Sequence, residues 1–282
     1  MPPRSACIGL LLFWAVASVG LITRDILPEL LIGPPPDLRS VASADRSGGP
    51  TRWLILVADD DAYRSFRSAG QAVTEAKGDA DGNLRLVGHA WFDSGKMLRG
   101  TAYASPDDVR VEMDNDCEID ASGNLKTFQA VVRTEGAESP LLRVDGVYRD
   151  HAIEVKARGP LPLLNFTRLF PYEPKTMIQN ALGPIDRLPG LAVGQRWDAR
   201  VVSPLTGKID VVRVEVLRKG EIFWDRGTVG VFEVVHKLPP ALSARTWVRR
   251  SDGLVLRQEV PFPLVKLILE RQPPAASTKA GE

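Results

Sequence analysis

The chain has little of what enzyme sites and disulfide frameworks are made from. Its 282 residues hold two cysteines and three histidines. Cys7 lies in an apolar N-terminal run and Cys117 in the body of the chain, so no disulfide framework staples one domain. Asp116 and Glu118 flank Cys117, and carboxylates raise a thiol pKa instead of activating it. Cys117 therefore reads as a small buried apolar residue. His89, His151 and His236 are far apart and form no metal-binding pair, so no metal is expected. There is no Gly-x-Ser-x-Gly, no Ser-x-x-Lys, no P-loop and no Gly-x-Gly-x-x-Gly. Ser203 precedes Pro204 in what reads as a turn. Serine nucleophiles, nucleotides and other cofactors thus have no support. Net charge is also absent: 36 Lys+Arg against 35 Asp+Glu leaves +1. No basic field steers the chain to nucleic acid. With no catalytic constellation, the chain reads as a non-enzyme.

What is present begins with "ACIGLLLFWAVASVGLI", residues 6–22, which carries no charge. A helix there spans about 25 Å, the lower end for crossing a bilayer. Residues 1–32 read as a membrane anchor or a cleaved signal, with Ala15 and Ala17 as the small residues a signal peptidase would need. The apolar run continues past that site, which favours the anchor. The layout puts the bulk of the chain outside the cytoplasm. Residues 33–50, with Pro34, Pro35 and Pro36, read as a stiff stalk and polar linker. The tail, 273–282, reads as disordered.

From residue 51 to 272 the dominant pattern is alternation, not helical periodicity. "DVRVEMDNDCEID" is its strictest form: Val109, Val111, Met113, Cys117 and Ile119 on one face, Arg110, Glu112, Asp114, Asp116, Glu118 and Asp120 on the other. Short turns with Asp-Gly, Lys-Gly and Arg-Gly separate the runs and imply antiparallel neighbours. The expected fold is mainly β, a long antiparallel sheet curled into a half-barrel or open barrel. One covering helix is expected over "EPKTMIQNALGP", residues 173–184, with Met177, Ile178, Ala181 and Leu182 on a stripe and Gly183-Pro184 as its stop. Residues 62–76 fit helix or strand equally.

Two segments carry a resemblance: "GLAVGQRWDARVVSPLTGKIDVVRVEV" and "TWVRRSDGLVLRQEV". The first has a Gly-x-x-Trp strand start and a Ser-Pro-Leu turn; the second is a Trp-containing hairpin with Asp-Gly at its tip. With one helix against a curled sheet, the chain resembles the half-barrels of periplasmic lipoprotein-carrier proteins. It also resembles the β module that precedes some bacterial transglutaminase-like domains, and related envelope domains of unknown function. The resemblance implies a fold and an envelope location, and no activity.

Three constellations remain. The acidic stripe fits no calcium loop: a loop opening at Asp114 needs Gly at position 119 and Glu at 125, where the chain has Ile119 and Leu125. It reads as a solvated face that Arg133, Arg143 and Arg149 neutralise across strands, or as carboxylates for a hydrolase or transferase. "LPLLNFTRLFPYEP", residues 161–174, is too apolar for a plain loop and must cover the sheet, line a cavity or meet a partner. In "TWVRRSDGLVLRQEV" a two-residue type I′ turn at Asp252-Gly253 pairs Trp247 with Gln258. That register puts Arg249, Trp247 and Gln258 on the apolar face. A guanidinium there needs a carboxylate, or it anchors a ligand at the bottom of a cavity. The sequence therefore reads as a membrane-anchored extracytoplasmic binding or scaffold module of the bacterial envelope. Its partners would be the membrane, through residues 6–22, and an apolar lipid or peptide ligand or an envelope protein. A purely structural part in an envelope complex is the third reading.

Overall fold

The computed structural model describes residues 49–58, 65–101, 108–160, 162, 165–172, 177–178, 186–202, 209–238, 242–261 and 265–273. The N-terminal run, residues 33–48 of the stalk and linker, and residues 274–282 lie outside them. Among the described residues no helix is long and apolar enough to cross a membrane.

Alternation becomes strand throughout. In β1 (Thr51–Ala58) Trp53, Ile55 and Val57 are buried on one face. The same period builds β2 (Phe66–Gly78), β3 (Leu84–Asp93), β4 (Arg110–Ile119), β5 (Leu125–Thr134), β6 (Leu142–Arg149), β7 (Ala152–Arg158) and β8 (Phe166–Pro171). A second run holds β9 (Met177–Ile178), β10 (Arg196–Val202), β11 (Ile209–Trp224), β12 (Gly227–Leu238), β13 (Leu242–Arg249), β14 (Val255–Pro261) and β15 (Lys266–Arg271). All fifteen form one sheet, ordered β8-β7-β6-β5-β4-β3-β2-β1-β15-β14-β13-β12-β11-β10-β9. The first and last strands are therefore neighbours in its middle. Every neighbouring pair is antiparallel except β9 with β10.

The sheet has to curl. Laid flat, fifteen strands at about 4.8 Å would put the β8 and β9 edges about 67 Å apart. The chain from Pro171 to Met177 reaches at most about 22 Å. The sheet therefore coils until its ends approach. Burial agrees: Trp53 and Ile55 on β1, Ala90 on β3, and Val212, Val214 and Val216 on β11 share one buried cluster. We call the face that carries this cluster the inner face. It continues along β4–β8 through Cys117, Leu125, Phe128, Val144, Ile153 and Val155.

The two ends of the coil differ. Compact connections, at 79–83, 120–124, 150–151, 225–226 and 250–254, fall at one end. The ends of β1, β3 and β10 and the starts of β2, β4 and β11 lie at the other, with the short helix α1 (Ser94–Leu98). Met97 of α1 is buried in the inner cluster, and Arg67 of β2 donates to the Lys96 and Arg99 carbonyls at 2.7 and 2.9 Å. The turn end is closed by residues 186–191, whose Leu188 and Leu191 pack on the inner cluster.

Two local expectations are corrected and one open alternative is resolved. The helix over 173–184 is contradicted where it is described: Met177–Ile178 is strand, paired in parallel with Val201 and Val202 of β10. The rest of that segment lies outside the described residues. Edge pairing overrode a helical stripe that is only a weak preference. Phe66 to Ala76, ambiguous by pattern, is strand β2.

The second correction is the register of the β13–β14 hairpin. Type I′ turns need positive φ at both central residues. Asp150-His151 (47° and 62°) and Asp225-Arg226 (48° and 65°) satisfy this; in Asp252-Gly253 only Gly253 does, at 72°. The hairpin instead closes from Arg249 N to the Leu254 carbonyl at 2.7 Å, with Gly253 N donating to the Arg249 carbonyl at 2.9 Å. Leu256 is then an extra residue in β14, so Thr246, not Trp247, faces Gln258, and Trp247 faces Arg257. The cause is a third partner. Leu188 N donates to the Gly253 carbonyl and Val255 N to the Asp186 carbonyl, at 2.8 and 3.0 Å. The bulge allows that docking and still buries Leu254 and Leu256.

Candidate functional site

The acidic stripe is an outer-face ladder of ion pairs. Asp116 holds Arg85 in a fork, Glu118 holds Lys126, and Asp114 meets Arg133 at 2.6 Å and His89 Nδ1 at 2.7 Å. Of the three arginines expected to neutralise it, Arg133 does so. Arg143 is spent on Asp145 at 3.0 Å. Arg85 holds the Asp116 carboxyl below the usual aspartate range. A groove of about 790 Å³ crosses this face, lined by Lys77, Arg85, Asp116, Glu118, Gln129 and Asp145. These groups are already bonded to one another or to neighbours. Among the described residues no three His, Cys, Asp or Glu side chains gather to hold a metal.

The bulge divides the three residues that the sequence placed together. Arg249 is on the outer face, with Nε and Nη2 on the Asp252 carboxylate at 2.9 and 2.7 Å. Its guanidinium lies 5.5 Å from the Trp224 ring centroid. Asp252 raises the Arg249 pKa, and Arg249 lowers that of Asp252. Trp247 is on the same outer face, in a small cluster with Trp224, Val231, Leu254 and Leu256, and Arg257 stands 6.0 Å over its ring. Gln258 is across the sheet, on the inner face. Its neighbours there are Thr246 on β13 and Leu269 on β15.

Gln258 has company that sequence reasoning missed. Thr246 is 1% exposed, and its hydroxyl lies 3.0 Å from His236 Nε2 on β12. His236, Thr246 and Gln258 thus run across three adjacent strands in an otherwise apolar wall of Val214, Val234, Ala244 and Leu269. Burial pushes His236 down to about 4, so its ring is neutral at neutral pH. Gln258 Oε1 is buried and accepts no hydrogen bond among the described residues. Asn115 Nδ2, on the inner face of β4, is likewise buried without a partner. The signal for the trio was present: His236 and Thr246 are the polar interruptions of "VVHKL" and "SARTWV". Only the three-strand register assembles them.

Several other polar groups of the inner face are committed. Trp53 Nε1 donates to Thr74 Oγ1 at 3.1 Å, and Thr74 donates to Asp186 at 2.9 Å. Arg271 donates to Asp186 Oδ1 at 3.3 Å and to Thr51 Oγ1 at 2.7 Å, with its guanidinium over the Trp53 ring. Burial raises the Asp186 pKa, and Arg271 opposes that shift. This network fastens the 186–191 segment to the β1–β15 seam. Cys117 is also held inert: burial, with Asp116 and Glu118 adding to it, pushes its thiol up to about 12. The apolar segment 161–174 contributes β8, with Phe166, Phe170 and Tyr172 on the inner cluster and Leu169 left 70% exposed.

No protein-family model matches the chain, and no curated protein matches its sequence. Its fold is similar to that of a β-barrel-like protein of the domain of unknown function DUF1849 from Brucella abortus. The TM-score is 0.50 at 12% identity, over 79% of this chain and 94% of that one. A DUF1089 family protein from Pseudomonas aeruginosa gives a TM-score of 0.36 at 14% identity, over 67% and 89%. The first likeness places the fold among β-barrel-like domains. The second carries no argument.

Proposed function

We propose that the chain is a non-catalytic binding module of the bacterial cell envelope, anchored by residues 6–22 with its β domain outside the cytoplasm. It takes an apolar ligand on the inner face of the curled sheet. One observation carries this: His236 and Gln258 keep partial exposure although both face inward among fully buried neighbours. A filled barrel would leave them little, and that partial exposure supports room for a ligand against that wall. The resemblance to lipoprotein-carrier half-barrels, carried by residues 190–216 and 246–260, supports the fold and the envelope location. The ion-paired carboxylates favour this reading over a hydrolase or transferase built on Asp116 and Glu118.

The test is native mass spectrometry of the full chain released from mild detergent, alongside fractionation of the producing cells. The expected result is a co-purifying apolar ligand on membrane-associated protein. A chain that carries none, and takes up none from a total lipid extract, sinks the proposal.

A further inference from the structure

We infer that Gln258, with Thr246 and His236 beside it, is the polar anchor of that inner-face site, and that it takes an apolar ligand bearing a neutral hydrogen-bond donor such as a hydroxyl or amide N–H. This rests on the binding reading above and names its ligand class. The argument begins with the unused acceptor. A buried carbonyl oxygen without a partner is costly, and native structures rarely leave one unless a water or ligand completes it. Gln258 Oε1 is one of three such side-chain atoms among the described residues. The other two are Arg110 Nε and Asn115 Nδ2, both on β4.

The surroundings select the chemistry. The wall around the trio is Val214, Val234, Ala244 and Leu269, so the body of a ligand there is apolar. The trio itself supplies no charge. Thr246 and Gln258 are neutral at any pH, and burial keeps the His236 ring unprotonated at neutral pH. A carboxylate or phosphate head would therefore be desolvated against this wall without a cation. The described cation on this face at β15, Arg271, is held by Asp186 and Thr51 at the turn end. A hydroxyl or amide head is desolvated at small cost and gives Oε1 the proton it lacks. His236 is tied through Nε2 to Thr246, and Thr246 stands opposite Gln258, so the acceptor sits in a packed setting.

The test uses the full chain in micelles and two photoreactive probes: a long-chain alcohol carrying a diazirine, and its methyl ether, which keeps the chain but loses the donor. Cross-linking is titrated against an empty-micelle background, and labelled peptides are located by mass spectrometry. Both probes are expected to label peptides of β12–β14. The alcohol should reach half-maximal labelling at a concentration about five- to tenfold lower, the net effect of one hydrogen bond. Gln258→Leu should erase that preference while keeping the labelling. Equal labelling of wild type by the two probes overturns the anchor and leaves the apolar site standing. A preference that survives in Gln258→Leu also overturns it. Failure of both probes to label any inner-face peptide of wild type overturns the binding reading itself. The wild-type comparison stands even if the variant does not fold.

Discussion

Gly146 lies opposite Phe128 on the inner face of β5–β6, and a Cβ added to it would fall inside the Phe128 ring. Its backbone φ is not in the left-handed region, so the need for glycine is spatial. Two effects of Gly146→Ala oppose each other. Removing glycine from a strand interior stabilises by about 0.5–1 kcal/mol. Overpacking a close-packed site costs about 1–3 kcal/mol. Phe128 is 5% exposed and wedged among Leu125, Val144 and Val155, so its ring has no room to yield. The second effect should win, with a net loss of about 1–2 kcal/mol and a fall in Tm of about 3–6 °C for a domain of this size. The decisive comparison is the background. Phe128→Ala alone should cost about 3–5 kcal/mol. In that background Gly146→Ala should reverse sign and stabilise by about 0.5–1 kcal/mol, because its methyl group enters the vacated space. Urea unfolding of the four proteins, read at constant m, measures this. If Gly146→Ala is neutral in wild type, or costs the same in both backgrounds, the ring does not occupy that space.

Three further outcomes are expected. Gly253→Ala puts a β-carbon at φ 72° and 2.8 Å from the Leu188 carbonyl oxygen and Pro189 Cα, so it should cost at least about 1–3 kcal/mol and speed protease cleavage within 186–195; unchanged cleavage would mean that Gly253 does not hold that segment. Arg271→Met leaves the Asp186 carboxyl buried without its cation and should cost about 3–5 kcal/mol in urea, whereas Asp186→Asn with Arg271→Met should recover most of it; a double variant as unstable as the single would count against the pair. His236 has a folded pKa depressed to about 4 from 6.5, so the unfolded chain binds its proton first, and stability should fall as pH drops from about 6.5 to about 4. The loss is at most about 3 kcal/mol, and His236→Gln should flatten that stretch of the profile.

Period-two alternation was enough to read the fold class, because each strand buries one face and needs no distant information to declare it. "RWLILVA" and "DVRVEMDNDCEID" are strands because Trp53, Ile55 and Val57, or Met113, Cys117 and Ile119, share a side. Closure was not legible in the same way. Nothing local in β1 says that β15 is its neighbour, and the curl emerges only when the whole strand order meets the short link from Pro171 to Met177. The expected helix had the opposite fault. Its stripe was local and its competitor, the β10 edge, was not.

The hairpin at residues 246–260 shows how one non-local contact relocates a candidate site. Asp252-Gly253 carries a strong two-residue turn signal, and a hairpin in isolation would follow it. The chain at 186–188 adds hydrogen bonds to Gly253 and Val255, and the hairpin accommodates them by bulging at Leu256. With side chains alternating at every residue, one inserted residue exchanges the faces of everything beyond it. That exchange sends Trp247 and Arg249 outward, where Asp252 answers the guanidinium, and turns Gln258 inward beside Thr246. The residue that looked most in need of a ligand is thereby satisfied, and the one that looked incidental holds the unused acceptor.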